Sequence, residues 1–313
     1  MRALLCPASL KGVLSASAAA AALARGFRSA GGDAVQLPSA DGGEGTGDAL
    51  RAALGGDWRE TVVSDPLGRP VPARWLLLPD GRAVVEAAAA VGLPLLAPEE
   101  RDPLRASSRG LGELALAALR EEPGALFVGL GGSATVDGGA GMREVLRRLP
   151  VPTTALCDVS TTLGDAARLF GPQKGASPGD VRELERRLAA MGELRPYADR
   201  PGSGAAGGLG AALAALGAKL VPGADALLDL VGFDGRVRGV DLVVTGEGRV
   251  DVTTLEGKAP AAVAERCRRA GVRCVVFGGV VSAEIPGAEV VALSGDPRRA
   301  ETDLVELGCR LGA

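Results

Sequence analysis

Six acids sit just after predicted strands, five of them in glycine-containing segments, and they are the residues best placed to do chemistry. Asp41 and Glu44 lie in PSADGGEGTGD (38 to 48), Asp137 in GGSATVDGGAGM (131 to 142), Asp158 in CDVS (157 to 160), and Glu247 and Asp251 in TGEGRVD (245 to 251). Glycine lets backbone amides approach an anionic ligand closely, and a helix N-terminus adds a favourable dipole. The chain has only four lysines, and three of them touch a glycine: Lys11 with Gly12, Lys174 with Gly175, and Lys258 with Gly257. Arginine supplies the other basic side chains, so a retained lysine marks a place where a compact ammonium is wanted. Carboxylates, lysines and amide-rich loops together suit phosphoryl transfer, which needs positioning, charge neutralisation and a divalent cation. Any single glycine-flanked acid is more often a turn former or a helix cap. Four such turns in one chain weaken that structural explanation for the set.

These residues need strands to carry them to one edge. Arg2 to Cys6, a helix over Ser15 to Ala30 and Ala34 to Leu37 make a βαβ opening. Further strands are predicted at 125 to 130, 154 to 159, 240 to 245, 272 to 277 and 290 to 293, with helices near 107 to 121, 178 to 191, 204 to 217, 258 to 270 and 297 to 311. Continuous apolar strands between helices imply a mostly parallel sheet covered on both faces, with ligands at the carboxyl ends of the strands. From Trp58 to Glu86, three strand-like runs joined by DPLG (65 to 68) and PDG (79 to 81) predict hairpins. The expected architecture is therefore α/β in two domains. A Rossmann-like domain with a mostly parallel sheet is built from 1–56 and 220–313, and a smaller α/β domain with a mixed sheet is inserted over 57–219, with a cleft at the junction.

Composition narrows the function classes. The chain has 313 residues, 47% of them hydrophobic, with Lys+Arg 35 against Asp+Glu 38 and a net charge of −3. Without a basic face, nucleic acid is not an expected partner. There is no histidine, which excludes His-based triads and imidazole acid/base chemistry. Cys6, Cys157, Cys267, Cys274 and Cys309 form no CxxC pair, so reduced thiols in a cytoplasmic setting are expected. The N-terminus does not read as a signal peptide. The uncharged stretch 201 to 218 approaches a membrane span in length, but its six glycines suit a loop running into a packed helix. No P-loop motif occurs, and GLGGSA (129 to 134) is not a GxGxxG fingerprint.

Nine blocks in sequence order resemble the type I glycerate kinase family: SLKGVLSA (9 to 16), PSADGGEGT (38 to 46), SDPLGRPV (64 to 71), VGLGGSATVDGGAGM (128 to 142), CDV (157 to 159), FGPQKGA (170 to 176), GSGAAGGLGAAL (202 to 213), TGEGRVD (245 to 251) and GKAPAAVA (257 to 264). The resemblance implies ATP-dependent phosphorylation of D-glycerate, commonly at the 2-hydroxyl to give 2-phosphoglycerate, with Mg²⁺ and two α/β domains. On the matched motifs, Lys11, Asp41, Asp137 and Lys174 are expected to be catalytic, with Asp137 or Asp41 as the base and the two lysines neutralising carboxylate or phosphoryl charge. Ser9, Gly42, Gly43, Glu44, Gly131, Gly132, Ser133, Thr135, Asp158, Gln173 and Lys258 are expected to bind substrate or nucleotide, and Glu247 and Asp251 to hold Mg²⁺. The implied partner is a small hydroxy acid, with neither nucleic acid nor membrane, in a protein that could form a homodimer. The chain departs from the family pattern at Ala8, Thr161 and Thr253, and it is shorter between Met142 and Thr154 and at its C-terminal end. Two other readings stand beside this one: a catalytically weak relative that binds nucleotide or hydroxy acid as a sensor, and a nicotinamide-dependent dehydrogenase.

Overall fold

The computed structural model describes residues 1–313 and divides into two compact units. The first comprises Met1–Asp41, Asp48–Leu54 and Ala224–Ala313; the second comprises Gly42–Gly47 and Gly55–Gly223. The short segment Gly42–Gly47, which the sequence reading left with the first domain, groups with the second. Its contacts, given below, explain why.

The first unit holds a five-stranded parallel sheet. Its strands are β1 (Arg2–Leu5), β2 (Asp33–Gln36), β9 (Leu242–Val250), β10 (Arg273–Val281) and β11 (Glu289–Ala292), in the order β11-β10-β9-β1-β2. The helices Ala16–Ser29 and Ala300–Gly312 pack together, with Gly26 against the Val305 carbonyl and Gly308 against that of Leu23. Side chains at those glycines would force the helices apart. Ser15 caps the first of them by accepting from the Ala18 amide at 3.1 Å.

TGEGRVD is not the turn that the sequence predicts. β9 continues through it to Val250 and stays paired with β10 as far as Val250↔Val281. Both strands carry glycines here, and a Cβ on Gly279 would lie 2.8 Å from the Gly248 carbonyl oxygen. The absent side chains let the two backbones run on side by side, so Glu247 projects from a strand.

The second unit holds a six-stranded mixed sheet in the order β3-β4-β5-β6-β7-β8. Here β3 (Asp57–Ser64), β4 (Pro70–Leu77) and β5 (Arg82–Glu86) form the antiparallel meander expected from the turn sequences. β6 (Ala125–Gly129), β7 (Thr153–Cys157) and β8 (Lys219–Pro222) continue from β5 in parallel. β8 escapes the sequence reading because its four residues merge with the end of the glycine-rich stretch. That stretch yields the helix Ala205–Ala215, in which Ala206, Gly207 and Gly208 are left-handed. No helix is long and apolar enough to cross a membrane.

At the carboxyl ends of β5, β6 and β7 the backbone of Gly42–Gly47 is packed almost without side chains. The Gly131 amide donates to the Gly42 carbonyl at 3.1 Å, and Glu86 accepts from the amides of Gly45, at 3.2 Å, and Gly47. A Cβ on Gly42, where φ is +93°, would lie 2.6 Å from the Leu156 carbonyl oxygen. Gly45 has a similar φ of +88° but open space around it. Gly45→Ala is therefore expected to lose only the backbone term, roughly 1 kcal/mol. Gly42→Ala should lose about 1–3 kcal/mol more through the steric clash, read as the difference between the two urea midpoints.

Candidate functional site

Each unit contains one polar pocket built from the predicted residues. In the first unit a pocket of about 350 Å³ is lined by Lys11, Asp41, Glu247 and Lys258, with Ser9 at its wall and apolar side chains including Val13 and Val280. Glu247, carried on β9, accepts from the Thr254 hydroxyl at 2.7 Å through Oε1, while Lys258 Nζ lies 3.9 Å from Oε2. Burial raises the Glu247 pKa and the charge of Asp41 adds to that, opposed by the Thr254 hydrogen bond and by Lys258 and Lys11. Asp41 and Glu247 thus form a carboxylate pair among lysines. That is a suitable host for a cation or a cation-bound phosphate.

Asp251 does different work. It caps the turn Val252–Glu256, accepting from the Thr253 amide at 2.9 Å and the Thr253 hydroxyl at 2.6 Å. The Thr253 hydroxyl bond is the main cause that lowers its pKa. Thr253 in turn accepts from Lys258 Nζ at 2.7 Å. Asp251 does not line the pocket, so among the two expected metal ligands the structure brings only Glu247 to it. Thr253, a departure from the family pattern, is the link that orients Lys258.

In the second unit a smaller cavity, about 100 Å³, is lined by Gly131, Gly132, Ser133, Asp158, Gln173 and Lys174 among others. Lys174 is 3% exposed. Its ammonium donates to the Thr135 carbonyl at 2.8 Å and to Ser133 Oγ at 3.1 Å. Burial depresses its pKa to about 8, against the opposing charges of Asp158 and Asp137. Gly131 matters at this point, because a Cβ there would lie 2.9 Å from Asp158 Oδ2. The Thr135 hydroxyl faces inward, buried and without a hydrogen-bond partner.

Asp137 reads as the structural alternative that glycine-flanked acids often turn out to be. Its Oδ2 accepts from Ser108 N at 2.9 Å, Ser108 Oγ at 2.8 Å and Gly141 N at 3.1 Å, and its Oδ1 accepts from Gly139 N at 3.0 Å. Two of these hydrogen bonds tie the carboxylate to the turn that starts the helix Ala140–Val145 and two tie it to Ser108, just ahead of the helix Arg109–Leu119, and it lines neither pocket. Glu44 is exposed on its loop and also lines neither. Gly42 and Gly43 contribute backbone packing. Sequence reasoning missed Glu86, which closes a strand as the other acids do but has an alanine run rather than glycine after it. It also missed Ser108, which shares the Asp137 carboxylate.

A family model described as the glycerate kinase family matches residues 3–149 and 145–294. The chain belongs to that family. It is therefore a kinase, a transferase acting on a small molecule. It is 40% identical to the glycerate 2-kinase of Escherichia coli (strain K12), over 86% of this chain and 82% of that one. It is 39% identical to the glycerate kinase of Bacillus subtilis (strain 168), over 90% and 86%. A crystal structure from Salmonella typhimurium LT2 described as a glycerate kinase 2 superposes with a TM-score of 0.85 at 33% identity, covering 100% of this chain and 97% of that one.

Lys174 gives a pH signature. Below pH 8 the folded and unfolded chains both carry its proton, and the folded state bears the full burial penalty. As the pH rises through about 8 the folded state sheds the proton while the unfolded chain keeps it to 10.5, so the unfolded state binds more protons and stability rises. Relative to Lys174→Met, the wild type should gain on the order of 3 kcal/mol between those limits, read from urea unfolding of both proteins across the range.

Proposed function

We propose that this protein transfers the γ-phosphoryl group of ATP to the 2-hydroxyl of D-glycerate, giving 2-phosphoglycerate, with Mg²⁺ as the cation. The observation that carries the reading is the pairing of lysines with carboxylates in both pockets, in a chain whose relatives are named glycerate kinases. Phosphoryl transfer consists mainly of positioning and charge neutralisation, which lysines, carboxylates and amides can supply without histidine. Lys11 and Lys258 neutralise phosphate charge, and Lys174 holds an anion in the smaller cavity.

The donor set fits Mg²⁺, which is commonly held by one or two carboxylates together with substrate phosphates. Asp41 and Glu247 would hold it. Burial chiefly raises the Glu247 pKa, and the charge of Asp41 adds to that. The bound ion would offset phosphate charge. The same reading places the protein in the cytoplasm, where its unpaired cysteines stay reduced.

ATP consumption with Mg²⁺ and a panel of hydroxy acids led by D-glycerate, with the product identified by phosphorus NMR, tests the reaction. Turnover giving 2-phosphoglycerate is expected. No turnover with any acid, alongside measurable ligand binding, would overturn the enzyme reading in favour of a sensor. Glu247→Gln should raise the Mg²⁺ concentration for half-maximal rate at least about tenfold, the loss of one charged ligand interaction. Asp251→Ala should leave it within about twofold, since that acid caps a turn.

A further inference from the structure

Lys174 is one of four lysines in the chain and sits in the short 3₁₀ turn Pro172–Lys174, 3% exposed, on the wall of the second-unit cavity. That wall is mixed. Leu93, Leu130, Val159, Phe170 and Ala206 line it together with Asp158. Apolar surroundings deprive an ammonium of hydration and favour the neutral amine, the form of lysine that attacks carbonyl carbons.

The hydrogen bonds of Lys174 suit that neutral form. Its nitrogen donates to the Thr135 carbonyl at 2.8 Å and to Ser133 Oγ at 3.1 Å, both uncharged acceptors. An ammonium has three N–H groups, one more than a neutral amine. Loss of that extra proton leaves both hydrogen bonds in place, with the lone pair in the remaining tetrahedral direction. Burial brings the pKa down to about 8, opposed by the negative charges of Asp158 and Asp137. Asp137 is held by Ser108 and by its own turn, while Asp158 lines the cavity. The amine is thus desolvated, fixed by two partners and placed beside a cavity of about 100 Å³.

We propose that Lys174 is a nucleophilic amine that captures uncharged aldehydes of about two or three carbons in this cavity, holding them as a reversible imine. The cavity volume sets the size of the aldehyde. Asp158 sets its charge, because an anionic aldehyde would lose its ammonium partner on reaction and be left beside a carboxylate. The nitrogen lone pair forms a bond to the carbonyl carbon, and the electrons of the C=O π bond move to oxygen. Both amine protons then pass to that oxygen by way of solvent, water leaves, and a C=N bond remains. The balance needs no oxidant or reductant, and added water reverses it. This capture rests on the cavity alone and stands apart from the phosphoryl transfer proposed above.

Reductive trapping tests it on the full chain. Acetaldehyde with excess cyanoborohydride converts an imine to an N-ethyl amine, and peptide mass spectrometry reads the labelling rate at each lysine from about pH 6.5 to about pH 9.5. At about pH 7.5, Lys174 should be labelled at least about tenfold faster than the exposed Lys219, since far more of a lysine with a depressed pKa is unprotonated there. Its rate should be half-maximal near pH 8. Asp158→Asn removes a charge that favours the ammonium, so the half-maximal pH should fall by about one pH unit. Lys174 labelled no faster than Lys219 in the folded protein, or labelled only after unfolding in urea, would overturn the proposal. So would a half-maximal pH that stays or rises in Asp158→Asn. If that variant does not fold, the wild-type rates and their pH midpoint decide alone.

Discussion

The ammonium of Lys174, sealed inside the second unit, is the constraint around which that unit's chemistry is arranged. A buried charge needs fixed partners, and two of them, the Thr135 carbonyl and Ser133 Oγ, lie on the turn that leaves β6. Lys174 itself sits in a short 3₁₀ turn, Pro172–Lys174, far along the chain. The charge therefore joins two distant segments, and Asp158 at the end of β7 adds a compensating negative charge. Even so, the proton is held less firmly than on a lysine in water, the usual consequence of desolvation.

Around this charge, close backbone packing replaces side-chain packing. Gly42 meets the Leu156 carbonyl, Gly131 meets Gly43, and a Cβ on Gly129 would lie 2.7 Å from the Gly42 carbonyl oxygen. Such contacts bring amides and carbonyls to the strand ends at a density that larger residues would prevent. Glu86 holds the other side of the Gly42–Gly47 loop by accepting from two of its amides. In the first unit the same economy of side chains, at Gly248 and Gly279, keeps β9 and β10 paired and projects Glu247 toward the lysines. At these positions glycine serves close approach of backbones.

The elements were legible because they follow strong periodic signals. The βαβ opening, the antiparallel meander set by its two turn sequences, and the long helices appear where apolar spacing and turn chemistry put them. The failures share a cause. TGEGRVD looked like a turn because glycines usually interrupt strands, yet pairing with another glycine-bearing strand kept it extended. Asp137 and Asp251 looked like Asp41 and Asp158 because an acid just after a predicted strand has the same local pattern whether it caps a turn or faces a cavity. The distinction lies in partners such as Ser108 and Thr253, whose proximity is tertiary or depends on backbone course.

By itself the sequence determined the α/β class, the kinase family and the identity of the acids and lysines, since these are written in periodicity, turn chemistry and the order of nine motif blocks. It also excluded histidine chemistry outright. Only the tertiary structure decided which carboxylates face a pocket and which are held by amides, because that depends on contacts between residues far apart in the chain. It alone buried Lys174, singled out Glu86, and separated a larger pocket in the first unit from a smaller cavity in the second. Residue types state what chemistry is available, but burial and hydrogen-bond partners set the charge and access of each group.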